Sequence, residues 1–321
     1  MNFPVFDLHC DTALALLGLD KPAGGDLLKN KLHVDLQRAT ALQGYCQCFA
    51  CFTTPEMSQW YRRSPVDIFE MELSAILSQI QRYEDRISQA FSAEDVEENR
   101  KNGKISAILT IEGPAGFGYD PALLENLWQI GFRMSTLGWN EGNVLTGSHI
   151  TGEGLSDMGR EYVKEAQRLG MLLDVSHLSD RGFWDLMEMS QGTVIATHSN
   201  SRHVCGHSRN LTDDMFRAIC QNGGVAGINL YTDFIGGEGT VADACKHILH
   251  WLDMDPEGIH IALGGDLDGC DKLPSGFDGV QSYPALAQTL LDCGVGHDIV
   301  ENIFWNNAMG VMKHAVRNYQ K

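Results

Sequence analysis

The sequence of 321 residues lacks the features that would indicate a membrane or nucleic-acid-binding protein. No apolar run approaches the roughly 18 residues that a membrane-spanning helix needs. Basic residues are few: 24 Lys and Arg stand against 42 Asp and Glu, and the net charge is −18. Such a charge disfavours nucleic acids and anionic membrane surfaces as partners. The first residues show no basic region followed by an apolar leader, so we expect a cytoplasmic protein.

The nine cysteines lack the spacing of a metal cluster. Cys46, Cys48 and Cys51 lie in the apolar run YCQCFACF, where only the first two share a strand face. No CxxC…CxxC pairing and no neighbouring histidine completes a zinc site there. An odd number of cysteines without an export signal predicts free, mostly buried thiols.

Three other signatures of function are also missing. No serine lies in a GxSxG turn, which argues against a serine hydrolase. The glycines of residues 223–227 precede and enter a predicted strand, so they are not a dinucleotide-binding fingerprint. The segment DLDGCD lacks the twelve-residue pattern and the final Glu of a calcium loop.

Apolar and β-branched runs alternate with helical patterns along the chain. Predicted strands are residues 5–8, 45–52, 105–111, 132–137, 171–175, 193–197, 225–231 and 259–263. Predicted helices are residues 66–87, 121–130, 157–169, 180–189, 212–221, 241–252, 283–291 and 306–319. Eight strands separated mainly by helices predict an α/β protein whose parallel sheet closes into a (β/α)8 TIM-like barrel. Because no linker, charge run or repeat divides the chain, we expect residues 1–321 to form a single domain.

Polar side chains follow the predicted strands at the points where the apolar runs end. The set comprises three histidines and three carboxylates: His9, Asp11, Glu112, His177, His198 and Asp266. The carboxyl ends of barrel strands form one rim, where the active sites of such barrels lie. We therefore expect these side chains to converge at a metal site.

The composition of this set indicates the kind of metal. Three imidazoles and two carboxylates suit a divalent transition metal such as zinc. They are too many for one tetrahedral catalytic ion, which keeps three protein ligands and an open position, and they suit two ions bridged by a carboxylate. Asp266 is then a spare carboxylate, free to transfer a proton to or from a metal-bound water.

The motifs resemble those of the membrane (renal) dipeptidase family, peptidase family M19, whose members are amidohydrolase-like barrels. The matching segments, in family order, are DLHCDT, TIEG, LGWNEGN, GLSDMGREYVKEAQRLGMLLDVSHLSD, ATHSNSR, RNLTDD, GGVAGINLY and GGDLDG. The resemblance implies a zinc-dependent dipeptidase with two zinc ions per chain and a metal-bridging hydroxide that attacks the peptide bond. It places Glu112 as the bridge, His9 and Asp11 on one ion, and His177 and His198 on the other.

The same resemblance implies roles for residues outside the metal set. Asp266 handles the proton, Arg209 of RNLTDD binds the substrate carboxylate, and Tyr231 of INLY lines the pocket. The chain departs from animal members at Trp139, where they carry a substrate-facing histidine; its Trp–Asn pair resembles many bacterial members. His149 could replace that imidazole or be a loop residue.

Several alternatives stay open from the sequence. Arg209 could instead pair with Asp213 or Asp214. The barrel could act on another small amide or ester, as an amidohydrolase or lactonase, or could be an inactive binding barrel. The family makes a homodimer plausible, and a D-residue at the carboxyl-terminal position of the substrate is possible.

Overall fold

The computed structural model of the chain describes residues 3–319. These residues include nine strands of one parallel sheet: β1 (Val5–Cys10), β2 (Tyr45–Phe52), β3 (Ile87–Gln89), β4 (Ile105–Glu112), β5 (Phe132–Thr136), β6 (Leu172–Asp174), β7 (Val194–Ile195), β8 (Ala226–Ile228) and β9 (Ile261–Leu263). Eight of them are neighbours in the order β7-β6-β5-β4-β2-β1-β9-β8. A parallel bridge from Ala196, just after β7, to Ala226 brings the two ends of this order together. The sheet is therefore a nearly closed barrel, which confirms the predicted (β/α)8 fold.

Most of the helices lie between successive strands, as in an α/β barrel, and the last three follow the final strand. The helices are α1 (Thr12–Leu16), α2 (Leu36–Ala39), α3 (Met57–Trp60), α4 (Pro65–Arg82), α5 (Ala93–Lys101), α6 (Leu124–Ile130), α7 (Asp157–Leu169), α8 (Asp180–Met189), α9 (Asp213–Asn222), α10 (Thr232–Ile235), α11 (Val241–Leu252), α12 (Tyr283–Asp292), α13 (His297–Glu301) and α14 (Asn307–Tyr319). Side-chain caps define many of their starts: the hydroxyl of Ser156 accepts from the Gly159 amide, and that of Thr212 accepts from the Met215 amide. Among the described residues, no helix has the length and apolar character that crossing a membrane would require.

The predicted helix over residues 66–87 is too long at its carboxyl end. In the structure α4 ends at Arg82, and Ile87 begins the short strand β3, which pairs with β4 outside the barrel ring. Ile87 continues the apolar spacing of the helix, so the sequence pattern did not show the break. Its side chain is instead buried by the sheet. The sequence also missed α5 and several helices of four or five residues.

One buried cluster contains side chains from around the whole barrel ring. It joins Phe6 of β1, Cys48 of β2 and Ile108 of β4 to residues of the other strands and to Trp305 and Met309 near the carboxyl terminus. Because residues from opposite strands meet in it, this cluster fills the barrel interior. The polar residues that follow the strands lie beyond it, at the carboxyl ends of the strands.

All nine cysteines are free, as predicted, and six of them are buried. Cys46 and Cys48 belong to the interior cluster, whereas Cys51 belongs to the larger core between strands and helices. The alternation of strand faces explains this separation.

Candidate active site

The six polar side chains predicted from the strand ends come together at the carboxyl end of the barrel. His9 Nε2 lies 3.5 Å from Asp11 Oδ2, 3.4 Å from Glu112 Oε2 and 3.8 Å from Asp266 Oδ1. Asp11 itself stands just past β1, at the start of α1, so the strand and the helix hold the two side chains next to each other.

Glu112 occupies the centre of this arrangement. Its Oε2 faces His9, while its Oε1 lies 3.0 Å from His177 Nε2 and 3.8 Å from His198 Nε2. The two Nε2 atoms of His177 and His198 are 2.9 Å apart. One carboxylate therefore directs one oxygen toward His9 and the other toward the His177–His198 pair.

The donor set fits metal binding. Two overlapping groups have ligand atoms within 4.8 Å of one another: His9 with Glu112 and His198, and His9 with Asp11 and Asp266. His9 Nε2 and Asp11 Oδ1 are buried and have no hydrogen-bond partner among the described residues. Buried polar atoms are normally paired, so these two atoms are suited to an ion.

Two residues of the site have left-handed backbone conformations that non-glycine residues rarely adopt. His177 has φ +73° and Asp266 has φ +55°. Such conformations are costly and cluster at functional sites. Close packing also requires a glycine at position 269, because a Cβ there would lie 2.0 Å from Asp11 Oδ2 and 2.4 Å from Asp266 Oδ1.

Hydrogen bonds that the sequence analysis missed orient two of the imidazoles. Asn140 Oδ1 lies 2.8 Å from His177 Nδ1. Thr197 Oγ1 lies 2.7 Å from His198 Nδ1, and the Thr197 hydroxyl in turn donates to Asp174. An oxygen that accepts from Nδ1–H leaves the Nε2 lone pair of each ring free for a metal. The only signal in the sequence was position, since Asp174 is the second-last residue of one predicted strand and Thr197 is the last residue of another.

Electrostatics support the assignment of Glu112, His177 and His198. Burial, with the charge of Asp11 next, raises the pKa of Glu112 to about 8. Burial, followed by the charge of Arg209 for His177 and of His9 for His198, holds the pKa of both imidazoles well below their ordinary range. Neutral imidazoles are the form that binds metals, and the crowded carboxylates are stabilised by a cation.

A cavity of about 520 Å³ lies over the site. Glu112, His177 and Asp266 form part of its wall, and so do the predicted pocket residues Trp139 and Tyr231. The Trp139 ring lies 5.0 Å from the Phe52 ring and 5.7 Å from the Trp60 ring, measured between centroids. These rings give one side of the cavity an aromatic wall.

Arg209 is buried near this cavity, and no carboxylate of the described residues forms an ion pair with it. Its side chain is 4% exposed, and Nε and Nη2 have no hydrogen-bond partner among the described residues. The guanidinium carbon lies 5.4 Å from the centroid of the Phe234 ring, which lines the cavity. Burial lowers the pKa of Arg209 to about 10, so the side chain stays charged at neutral pH.

The alternative partners of Arg209 are engaged elsewhere. Asp213 Oδ1 lies 2.9 Å from His250 Nε2, and Asp214 Oδ1 lies 2.9 Å from Arg217 Nη1. The pairing of Arg209 with either aspartate, which the sequence left open, is therefore not observed.

His149 contacts the site indirectly. Its Nε2 lies 3.1 Å from Asn140 Oδ1, the atom that also contacts His177, and its Nδ1 lies 2.8 Å from Ser208 Oγ. Burial, with the charge of Arg209 next, lowers the pKa of His149 to about 4, which keeps the ring neutral. His149 therefore contacts Asn140, which contacts His177, and His149 itself is not among the residues that line the cavity.

A (β/α)8 barrel with buried imidazoles and carboxylates at its strand ends has the architecture of a metal-dependent barrel enzyme. Residues 1–321 match the family described as membrane dipeptidase (peptidase family M19). The chain belongs to this family, and it is accordingly a metallo-dipeptidase, a hydrolase that acts on peptide bonds.

Individual relatives agree with this membership. An uncharacterized protein in the pqqA 5′ region of Klebsiella pneumoniae is 31% identical over 264 residues, which cover 78% of this chain and 97% of that protein. An uncharacterized dipeptidase of Schizosaccharomyces pombe is 35% identical over 67% of this chain, and the match spans 54% of that longer protein. A metallopeptidase from Rhodobacter sphaeroides, solved with a phosphinate mimic of the dipeptide L-Ala-D-Ala, is similar in structure with a TM-score of 0.87. It is 26% identical, and the similarity covers 98% of this chain and 100% of that one.

Proposed function

We propose that this protein is a zinc-dependent dipeptidase that holds two zinc ions and hydrolyses small dipeptides, including those with a D-residue at the carboxyl-terminal position. The observation that carries the proposal is the position of Glu112, whose two oxygens face His9 at 3.4 Å and His177 at 3.0 Å. A carboxylate with His9 and Asp11 on one side and His177 and His198 on the other is suited to bridge a pair of ions.

The chain's own residues would hold and orient this pair. His9 and Asp11 would bind one ion, His177 and His198 the other, and Glu112 both. When bound, a pair of divalent ions supplies an activated water near neutral pH and polarises the peptide carbonyl. Asn140 and Thr197 would keep the two imidazoles in the tautomer that this binding needs.

Asp266 is suited to move the proton. Its Oδ2 accepts a hydrogen bond of 2.9 Å from Asn229 Nδ2, while its Oδ1 faces His9. Burial raises the pKa of Asp266, which brings its basicity closer to neutral pH. We propose that it accepts the proton of the attacking water and delivers it to the leaving amine.

Arg209 is suited to bind the free carboxylate of the substrate. A buried guanidinium with unpaired Nε and Nη2 atoms can form two parallel hydrogen bonds to a carboxylate. A carboxylate held at a fixed distance from the reacting carbonyl would restrict hydrolysis to dipeptides. The Rhodobacter sphaeroides metallopeptidase was solved with a mimic of L-Ala-D-Ala, which supports including L,D dipeptides among the substrates.

A hydrolysis screen tests the proposal. The purified protein, loaded with zinc, is assayed on L,L and L,D dipeptides, on tripeptides, and on small lactones and N-acyl amides; chelator-treated protein and Glu112→Gln are the controls. We expect cleavage of dipeptides that needs both zinc and Glu112. Cleavage of lactones or amides but not of dipeptides would refute the dipeptidase and indicate an amidohydrolase or lactonase. Absence of any hydrolysis by the zinc-loaded protein would indicate a binding barrel.

The remaining expectations of the sequence analysis stay predictions. These are a single domain over residues 1–321, a cytoplasmic location and a homodimer. Light scattering on the purified protein measures the assembly directly, and a molar mass of 35.4 kDa would contradict the dimer.

A further inference from the structure

A second group of metal-ligating side chains lies outside the active site. His203 belongs to the segment between β7 and α9, Asp213 is the first residue of α9, and His250 lies in the last turn of α11. One ligand atom from each of the three lies within 4.8 Å of the others. Three parts of the chain that are separated by up to 47 positions thus meet at one point.

The contacts within this group resemble those of the candidate metal ligands in the active site. His250 Nε2 lies 2.9 Å from Asp213 Oδ1, and the rings of His203 and His250 stack with centroids 4.2 Å apart. In the active site, the rings of His9 and His198 stack in the same way at 3.9 Å. Stacking alone does not define a metal site, since His9 and His198 are assigned to different ions. The support here is the Asp213 carboxylate beside His250 and the grouping of all three ligand atoms.

Two imidazoles and one carboxylate form a ligand set that zinc and similar divalent transition metals use, and three protein ligands leave a position for water. The site is reached from solvent, because His203 is exposed and the side chains of His250 and Asp213 are 17% and 31% exposed. We propose that His203, Asp213 and His250 form a third divalent-metal site, separate from the catalytic pair. Because the two rings are 5° from parallel, this site requires the exposed His203 ring to rotate out of the stack so that both imidazole lone pairs point to one ion.

The site would connect the substrate-binding segment to the helical layer. Residues 198–212 carry Arg209, and an ion on His203 ties this segment to both α9 and α11. Polar contacts already hold this segment in place. Arg202 forms an ion pair with Asp180 at 2.7 Å. Asn210 Nδ2 donates hydrogen bonds of 2.8 Å to the carbonyl oxygens of Cys205 and Phe234. The bound ion therefore has a structural role, and the three ligands take no part in the chemistry of hydrolysis.

Zinc content measured by elemental analysis tests this site. Wild type, His203→Asn, His250→Gln and the control His314→Asn are dialysed against the same buffered free zinc and washed identically. His314 is an exposed histidine on α14, so its replacement controls for nonspecific binding to surface imidazoles. We expect His203→Asn and His250→Gln each to hold about one ion fewer than wild type, and His314→Asn to match wild type.

The zinc content of His203→Asn relative to wild type distinguishes this site from the catalytic one. The difference in zinc content between wild type and His203→Asn does not depend on how many ions the active site holds. The zinc-induced rise in Tm should be smaller in His203→Asn, whose exposed side chain is replaced without disturbing the core. Equal zinc content in wild type and His203→Asn would overturn the proposal and leave a stacked histidine pair hydrogen-bonded to Asp213. An equal loss of zinc in His314→Asn would overturn it as well, because binding would then be nonspecific.

Discussion

Amidation of the substrate carboxylate should reveal whether Arg209 limits the enzyme to dipeptides. Arg209 is 4% exposed and has no ion-pair partner among the described residues. Its buried charge would therefore be stabilised by an anionic group of the substrate. The amide of a dipeptide cannot neutralise this charge and leaves the guanidinium buried and unpaired. The wild-type enzyme should therefore discriminate strongly between a dipeptide and its amide.

The expected size of this effect follows from buried charge pairs. Removal of one partner of such a pair costs about 2–5 kcal/mol. Since each 1.36 kcal/mol changes a rate about tenfold, kcat/KM for the amide should be roughly 30- to 5000-fold below that for the free acid. Arg209→Lys keeps the charge but loses the two parallel hydrogen bonds, so kcat/KM for the free acid should fall and the ratio of acid to amide should shrink.

The assay compares kcat/KM for one dipeptide and its amide in wild type, Arg209→Lys and Arg217→Lys. Arg217 is a suitable control, because its side chain is 51% exposed and pairs with Asp214 on the surface of α9. Arg217→Lys should behave as wild type. If wild type cleaves the amide as well as the free acid, Arg209 is structural and the dipeptide limit has another cause.

Four further outcomes are expected. Elemental analysis of His203→Asn, in which the proposed third site is removed, should find about two zinc ions per chain, and full activity with one ion would refute the binuclear site. Asp266→Asn should lower turnover by about 10²–10⁴-fold with zinc content unchanged; a loss of zinc would show that Asp266 is a ligand. Gly269→Ala places a Cβ 2.0 Å from Asp11 Oδ2 and should lower kcat/KM by about 10²-fold through displaced carboxylates, whereas Gly310→Ala, where a Cβ meets no atom within 4 Å, should be neutral. His149 has its pKa lowered to about 4 from an ordinary value of 6.5, so the unfolded chain binds the proton more readily between these pH values and stability falls as pH decreases through this window. His149→Asn should therefore lose less Tm than wild type between pH 7 and pH 5, and equal losses would contradict the assignment of His149 as a half-buried neutral ring.

The barrel and the six polar residues at its rim were predictable from the sequence, because both depend on local patterns. A buried strand of a parallel sheet is an apolar run, and the residue after the run lies at the rim once the barrel closes. His9, Glu112 and Asp266 could be placed from their own neighbours in the chain and from the order of the strands. Motifs such as DLHCDT and GGDLDG added the resemblance to a family of known chemistry.

Only the tertiary structure decided which atoms contact one another across the barrel. Asn140 and His177 are 37 positions apart, and no local pattern indicates that the amide oxygen would hold the imidazole Nδ1. Likewise, Asp213 contacts His250 of another helix and not Arg209, which the sequence had left open as its partner. Hydrogen bonds and ion pairs need atoms within about 3–4 Å, and side chains from distant parts of the chain reach that precision only when the packed helices and strands fix their positions. For this reason the sequence determined which residues lie at the site, and the fold determined their orientation and the separate cluster of His203, Asp213 and His250.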